Sequence, residues 1–224
     1  MNLSTLLCFL FFCSCLLPCI VQSAEPICST AVFCEDWENG NFTQWEDGFN
    51  AAKHSITTTP ANVYAGTQAL EVLYPLGEEG GWLTRWFLPG YDRLFVRVFV
   101  KWETGWQNAT NGGDKTIALY GNRIDNQWSG FGQAGIVPNG TDFFIGMITN
   151  TVNLGSPTAP GEAIFYYYHP EQIGAFGDIT ELDAPQSASL TNQWYCEELE
   201  IKANTIGQHD GYLKIWINDV FKGQ

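Results

Sequence analysis

Short runs rich in β-branched and aromatic residues recur along this chain, each cut off by Gly, Pro, Asn or Asp, while apolar residues at helical spacing are nearly absent. Such a chain buries one face of successive strands and folds as a sandwich or barrel of sheets. Strands are predicted over 31–37, 69–74, 94–102, 116–120, 142–149, 163–169, 197–203 and 212–217. Asp210-Gly211 and Asn218-Asp219 are turn dipeptides, and the second reads as a hairpin turn. Val220-Phe221-Lys222 then opens a returning strand just before Gln224, so the domain is expected to lack its last strand or strands and to leave an open edge. The expected fold is all-β, a two-sheet antiparallel jelly-roll sandwich.

Ahead of these strands, Leu6 to Val21 is apolar, and the first charged residue is Glu25. This block is too short and wrongly flanked for a membrane span and reads as a signal peptide over residues 1–23, although no Lys or Arg marks its start. Residues 24–224 then form one domain, and neither a linker nor an internal repeat divides them. The protein is expected to be secreted and extracellular, with no membrane attachment after cleavage. Cys8, Cys13, Cys15 and Cys19 fall in the leader, which leaves Cys28, Cys34 and Cys196 in the mature chain. Export predicts a disulfide, either Cys28 with Cys34 or one of these with Cys196. No Cys-x-x-Cys pair occurs and His54, His169 and His209 are far apart in sequence, so no metal site is predicted. A net charge of −14 excludes nucleic acid as a partner. Within that acidic chain, Arg85, Arg93, Arg97, Lys101, Lys115 and Arg123 cluster in one stretch.

The period of two places Leu94, Val96, Val98, Val100 and Trp102 on a core face and Arg93, Phe95, Arg97, Phe99 and Lys101 on the other. Rings alternating with cations suit a groove for an anionic sugar, where rings stack on pyranose faces and guanidinium forks hold carboxylates. An ordinary solvated outer face has the same alternation. Tyr166 and Tyr168 share one strand face, with Phe165, Tyr167 and His169 on the other. A tyrosine or histidine beside an arginine is what β-elimination of a uronic acid polymer needs: a cation acidifies the C5 proton, a base removes it and a phenol or imidazole protonates O4. Aromatic core packing is the competing use of those rings. Glu198 and Glu200 also share a face and could serve a hydrolase as acid and base, or simply line a charged strand.

Trp194-Tyr195-Cys196-x-Glu198, Asn204, Asp210-Gly211 and Trp216-Ile217-Asn218-Asp219 resemble the closing hairpin of the concanavalin A-like lectin and glucanase superfamily, in particular its polysaccharide-lyase-like secreted members. Phe33-x-Glu35-Asp36-x-Glu38-x-Gly40, the strand from Val96 to Trp102 and Phe165 to His169 are similar to segments that recur there. The Glu-x-Asp-x-Glu strand of jelly-roll glucanases is missing, since Glu181-Leu182-Asp183 runs into Ala184-Pro185. The resemblance to alginate and glucuronan lyases implies a polysaccharide lyase acting on an anionic polysaccharide, with Tyr168, His169, Tyr166 and Arg123 catalytic. The alternation along 93–101 assigns Arg93, Phe95, Arg97, Phe99 and Lys101 to substrate binding, and the resemblance adds Lys115. No cofactor is required, and the resemblance leaves room for a structural calcium ion. The alternative is a non-catalytic, lectin-like module using the same fold.

Overall fold

In the computed structural model, residues 28–75, 78, 80–108, 113–152, 158–182 and 188–224 are described. The signal-peptide expectation lies outside them. The described residues 28–35 and those of Asp36–Gln224 belong to separate units. In the first, a short 3-10 helix, Cys28–Thr30, precedes a Cys28–Cys34 disulfide. The strand predicted over 31–37 does not form, because the cross-link closes this short span into bends that cannot extend.

The second unit is all-β and antiparallel. Among the described residues, β1 (His54–Thr57) pairs with β2 (Ala69–Val72). A four-stranded sheet holds β3 (Arg93–Lys101), β9 (Trp194–Lys202), β10 (Tyr212–Ile217) and β11 (Val220–Gly223), in the order β11-β10-β9-β3. A five-stranded sheet holds β4 (Asp114–Asn122), β5 (Phe143–Thr151), β6 (Gly161–Tyr168) and β7 (Asp178–Glu181) in sequence order, with β8 (Ala188–Ser189) pairing to β6. The returning strand forms as β11. Asn218 and Asp219 have φ of 51° and 62°, the left-handed pair of a two-residue hairpin whose twist matches its strands.

One apolar layer joins the two larger sheets. Ile117, Ile148, Ala163 and Phe165 meet Tyr195, Leu199, Ile215 and Ile217 in it, and Val96, Val98 and Val100 of β3 pack against them. Fully burying one such aliphatic side chain is worth about 1.5–3 kcal/mol. Two-residue periodicity then turns Arg93, Phe95, Arg97, Phe99 and Lys101 outward from one sheet and Tyr166 and Tyr168 outward from the other.

Two residues interrupt this pattern. Glu197 lies on the inward face of β9 between Tyr195 and Leu199 and is fully buried, and Thr116 of β4 donates its hydroxyl proton to Glu197 Oε2 from the opposite sheet. Thr116 occupies a bulge: Lys115 pairs with Thr149 and Ile117 with Ile148, so two β4 steps oppose one on β5. Burial drives the Glu197 carboxyl up to about 7 from its ordinary 4.5, against the opposing effect of the Thr116 hydrogen bond. The folded state therefore binds more protons than the unfolded chain between those values, and stability falls as pH rises through that window. The difference corresponds to roughly 3 kcal/mol. Denaturant unfolding across this pH range should show that decline, and Glu197→Gln should flatten it; an equal decline in both proteins would assign it to other groups.

Candidate functional site

Ala163 and Phe165 of β6 fill the shared layer, so Tyr166 and Tyr168 project from the opposite face of the five-stranded sheet. Their hydroxyls are 2.9 Å apart and their rings meet edge to face at 5.5 Å. Met147 and Ile145, their cross-strand neighbours, pack beside them on the same face, and Phe143 lies 6.4 Å from the Tyr168 ring. Tyr168 is buried and Tyr166 half-buried, so of the two Tyr166 is more open to a ligand.

Lys115 reaches the same face from β4, with Nζ 5.8 Å from the Tyr166 ring centroid. Its side chain is exposed. Tyr120 completes the group: it pairs with Ile145, which pairs with Tyr168, so the three residues form one row across the sheet. The Tyr120 ring stacks on Phe131 at 4.9 Å, and Phe131 in turn contacts Trp82, Trp86 and Trp128 at 5.0–5.6 Å. An aromatic wall thus stands beside the tyrosine pair. Gly177 lets the β6–β7 connection lie close over it, because a Cβ there would come within 2.8 Å of the Tyr168 ring and 2.6 Å of the Tyr167 carbonyl oxygen.

Other residues expected at the site lie elsewhere. His169 bonds Asp178 at 2.8 Å and sits 5.1 Å from the ring of Tyr167, on the side away from the tyrosine pair. Arg123 pairs with Asp125 at 2.5 Å and lines an open pocket of about 320 Å³ with Trp128, Gln133, Asp142 and Phe143. Phe143 and Trp128 connect that pocket to the tyrosine face, Phe143 lying 6.4 Å from the Tyr168 ring and Trp128 5.0 Å from the Phe131 ring that stacks on Tyr120.

The structure does not bring the β3 residues to the tyrosines: they occupy the outer face of the other sheet. Their cations are already engaged. Arg93 pairs with Glu200, Arg97 bridges Glu198 at 2.6 Å and Asp219 at 2.5 Å, and Lys101 donates to the Ala61 carbonyl at 2.5 Å and to Asn62 at 3.1 Å. Phe99 stacks under Tyr64 at 3.9 Å, while Phe95 stays exposed beside Trp216. Glu198 and Glu200 do share a face, but each is buried beneath an arginine and not poised around a bond. Cys196, buried and outside the disulfide, gathers with Glu198 and Asp219 within 4.8 Å, yet the Arg97 guanidinium already supplies the positive charge there.

Tyr120 and its aromatic wall went unread in the sequence. The five-residue offset from Lys115 assigns Tyr120 to the opposite face of a regular strand, and only the bulge reunites them. No protein-family model matches the chain, and neither does any curated protein. Among solved structures, alginate lyase Aly36B is similar at 21% identity and a TM-score of 0.42, over 58% of this chain and 49% of that one. Variants of the same lyase in complex with an alginate trisaccharide and a tetrasaccharide are similar at 21% and 20% identity, with TM-scores of 0.41 and 0.40. The chain spans about half the length of these structures.

The tyrosine pair has a titration signature. Burial, the hydrogen bond from Tyr168 and the nearness of its phenol hold Tyr166 well above an ordinary tyrosine, outweighing a backbone hydrogen bond from Gly177. Alkaline near-ultraviolet titration should therefore show Tyr166 ionising late, and Tyr168→Phe should bring that ionisation to lower pH. An unchanged Tyr166 in the variant would mean the hydroxyls are not coupled.

Proposed function

We propose that this is a secreted polysaccharide lyase that cleaves a uronic acid polymer by β-elimination on the outer face of the five-stranded sheet. The reading is carried by the hydroxyl-to-hydroxyl pair of Tyr166 and Tyr168 with the Lys115 ammonium over the Tyr166 ring. The Cys28–Cys34 disulfide suits an oxidising, extracellular setting.

In this reading Lys115 neutralises the uronate carboxylate, which lowers the acidity barrier at C5. The tyrosine pair relays the protons in concert: one phenol oxygen takes the C5 proton as its own proton passes to the paired phenol, whose proton goes to the departing O4 while the C5 electron pair forms the C4–C5 double bond and the C4–O4 bond breaks, so both tyrosines stay neutral. The 2.9 Å hydrogen bond between the hydroxyls carries that transfer within the step. Tyr166 faces the polymer, Tyr168 backs it, and the Tyr120–Phe131 stack offers a ring surface for neighbouring sugars. That same stack also favours the lectin-like reading, in which the face binds without turnover.

Incubation with a panel of uronic acid polymers, followed by ultraviolet absorbance of the unsaturated product, tests the chemistry. Tyr168→Phe should lower kcat about 100-fold or more while affinity changes little. Unchanged turnover in the variant would remove the tyrosine pair from the mechanism, and binding without unsaturated ends in the parent would select the lectin-like reading.

A further inference from the structure

Lys115 and Tyr120 are five residues apart on one strand, a spacing that puts side chains on opposite faces of regular β structure. Here both lie on the tyrosine face, because Thr116 is the extra residue of a bulge. The bulge also turns two successive side chains, Thr116 and Ile117, into the apolar layer: Ile117 joins the core and Thr116 bonds Glu197. A bulge that is held from one side only can slip, and a one-step slip exchanges the faces of every residue beyond it.

We propose that Glu197 is a positioning residue for this face: from the opposite sheet it pins Thr116 in the β4 bulge and so keeps Lys115 beside Tyr166. The function that Lys115 serves rests on the lyase reading above, whereas its placement by Glu197 does not.

The surroundings of Glu197 make this contact dependent on its protonation. Its cross-strand neighbours are Val98 and Ile217, and Oε1 is buried without a hydrogen-bond partner among the described residues. The titratable groups facing the same layer are occupied otherwise: Asp114 of β4 accepts from the Trp106 indole at 3.0 Å, Tyr195 of β9 accepts from the Leu190 amide at 2.7 Å, and the Tyr167 hydroxyl of β6 shares a hydrogen bond with Thr180 at 3.0 Å. Lys115 itself points out of the layer. A neutral carboxyl is tolerated there with Thr116 as its one donor. The Thr116 hydrogen bond favours the ionised form but does not outweigh its burial, and with that single donor for a carboxylate in an apolar layer water must enter or the side chain must withdraw, either of which loosens the hold on Thr116. Burial sets that change near neutral pH.

NMR of isotope-labelled, reductively methylated lysines in the full chain tests this without requiring turnover, with the Lys115 signal identified by Lys115→Arg. Over the Tyr166 ring, Lys115 should carry a ring-current shift, lost as pH rises through about 7 in the parent and retained in Glu197→Gln. Thr116→Val should lose the shift at every pH, while Thr116→Ser, which keeps the hydroxyl, should preserve it. If a polymer is turned over, Thr116→Val should lower kcat by roughly 10- to 100-fold, as displaced catalytic groups do. A Lys115 signal unaffected by Thr116→Val, or one that titrates identically in the parent and Glu197→Gln, would overturn the proposal. Absence of turnover in the parent would sink the lyase reading and leave the NMR comparison decisive for the positioning role.

Discussion

A sandwich commits half of each paired strand to the layer between its sheets, and whatever this protein presents to a ligand comes from the other half. That constraint explains the separation of its two ornate surfaces. Val96, Val98 and Val100 face the layer from one sheet and Ile148 and Phe165 from the other, so their alternating neighbours point in opposite directions through the molecule. Arg97 and Tyr168 could share a groove only if their strands belonged to one sheet, and they do not. The bulge in β4 is the local exception that matters most, because it changes which residues of that strand keep company on the outer face.

Strand identity was legible because alternation and turn chemistry act over a few residues. The stretch from Tyr212 to Ile217 and the turn at Asn218-Asp219 were read as they fold, and the core face of β3 was assigned correctly. Sheet membership was not legible, since it depends on pairings between residues far apart: β3 joins β9, about a hundred positions on. Parity therefore told which residues leave the core but not which of them meet. It paired Tyr166 with Tyr168 and set His169 apart, both as found, while the groove drawn around Arg93, Arg97 and Lys101 fell on the wrong sheet for the tyrosines. Ala31 to Trp37 reads as a strand even though Cys28 with Cys34 is among the expected pairings, because residue pattern alone does not show that so short a closed loop holds the span in bends.

The electrostatics of the two faces differ in kind. On the β3 face, Arg93 and Arg97 sit against buried carboxylates; removing Arg97 would strip Glu198 of its guanidinium partner, while Glu200 without Arg93 would keep the Tyr212 hydroxyl at 2.8 Å and the nearby Lys214 charge. Those pairs serve the sheet that carries them, since a carboxylate taken out of water needs its partner close by. A sugar acid would have to displace Glu198 or Asp219 from Arg97 before gaining the same contact, with no net gain in charge neutralisation. Lys115 is exposed, and among the described residues its ammonium is held by a ring and not by an acid.

A chain of net charge −14 repels an anionic polymer at a distance, but in salt near physiological strength that repulsion fades over about 8–10 Å. Inside that range, individual groups decide. A lone exposed cation flanked by rings is then worth more to a uronate than several cations already paired, because its charge is not yet spent on the protein's own carboxylates. The placement of one lysine therefore matters more to this surface than the count of basic residues nearby, and that placement depends on a threonine and a glutamate hidden in the layer behind it.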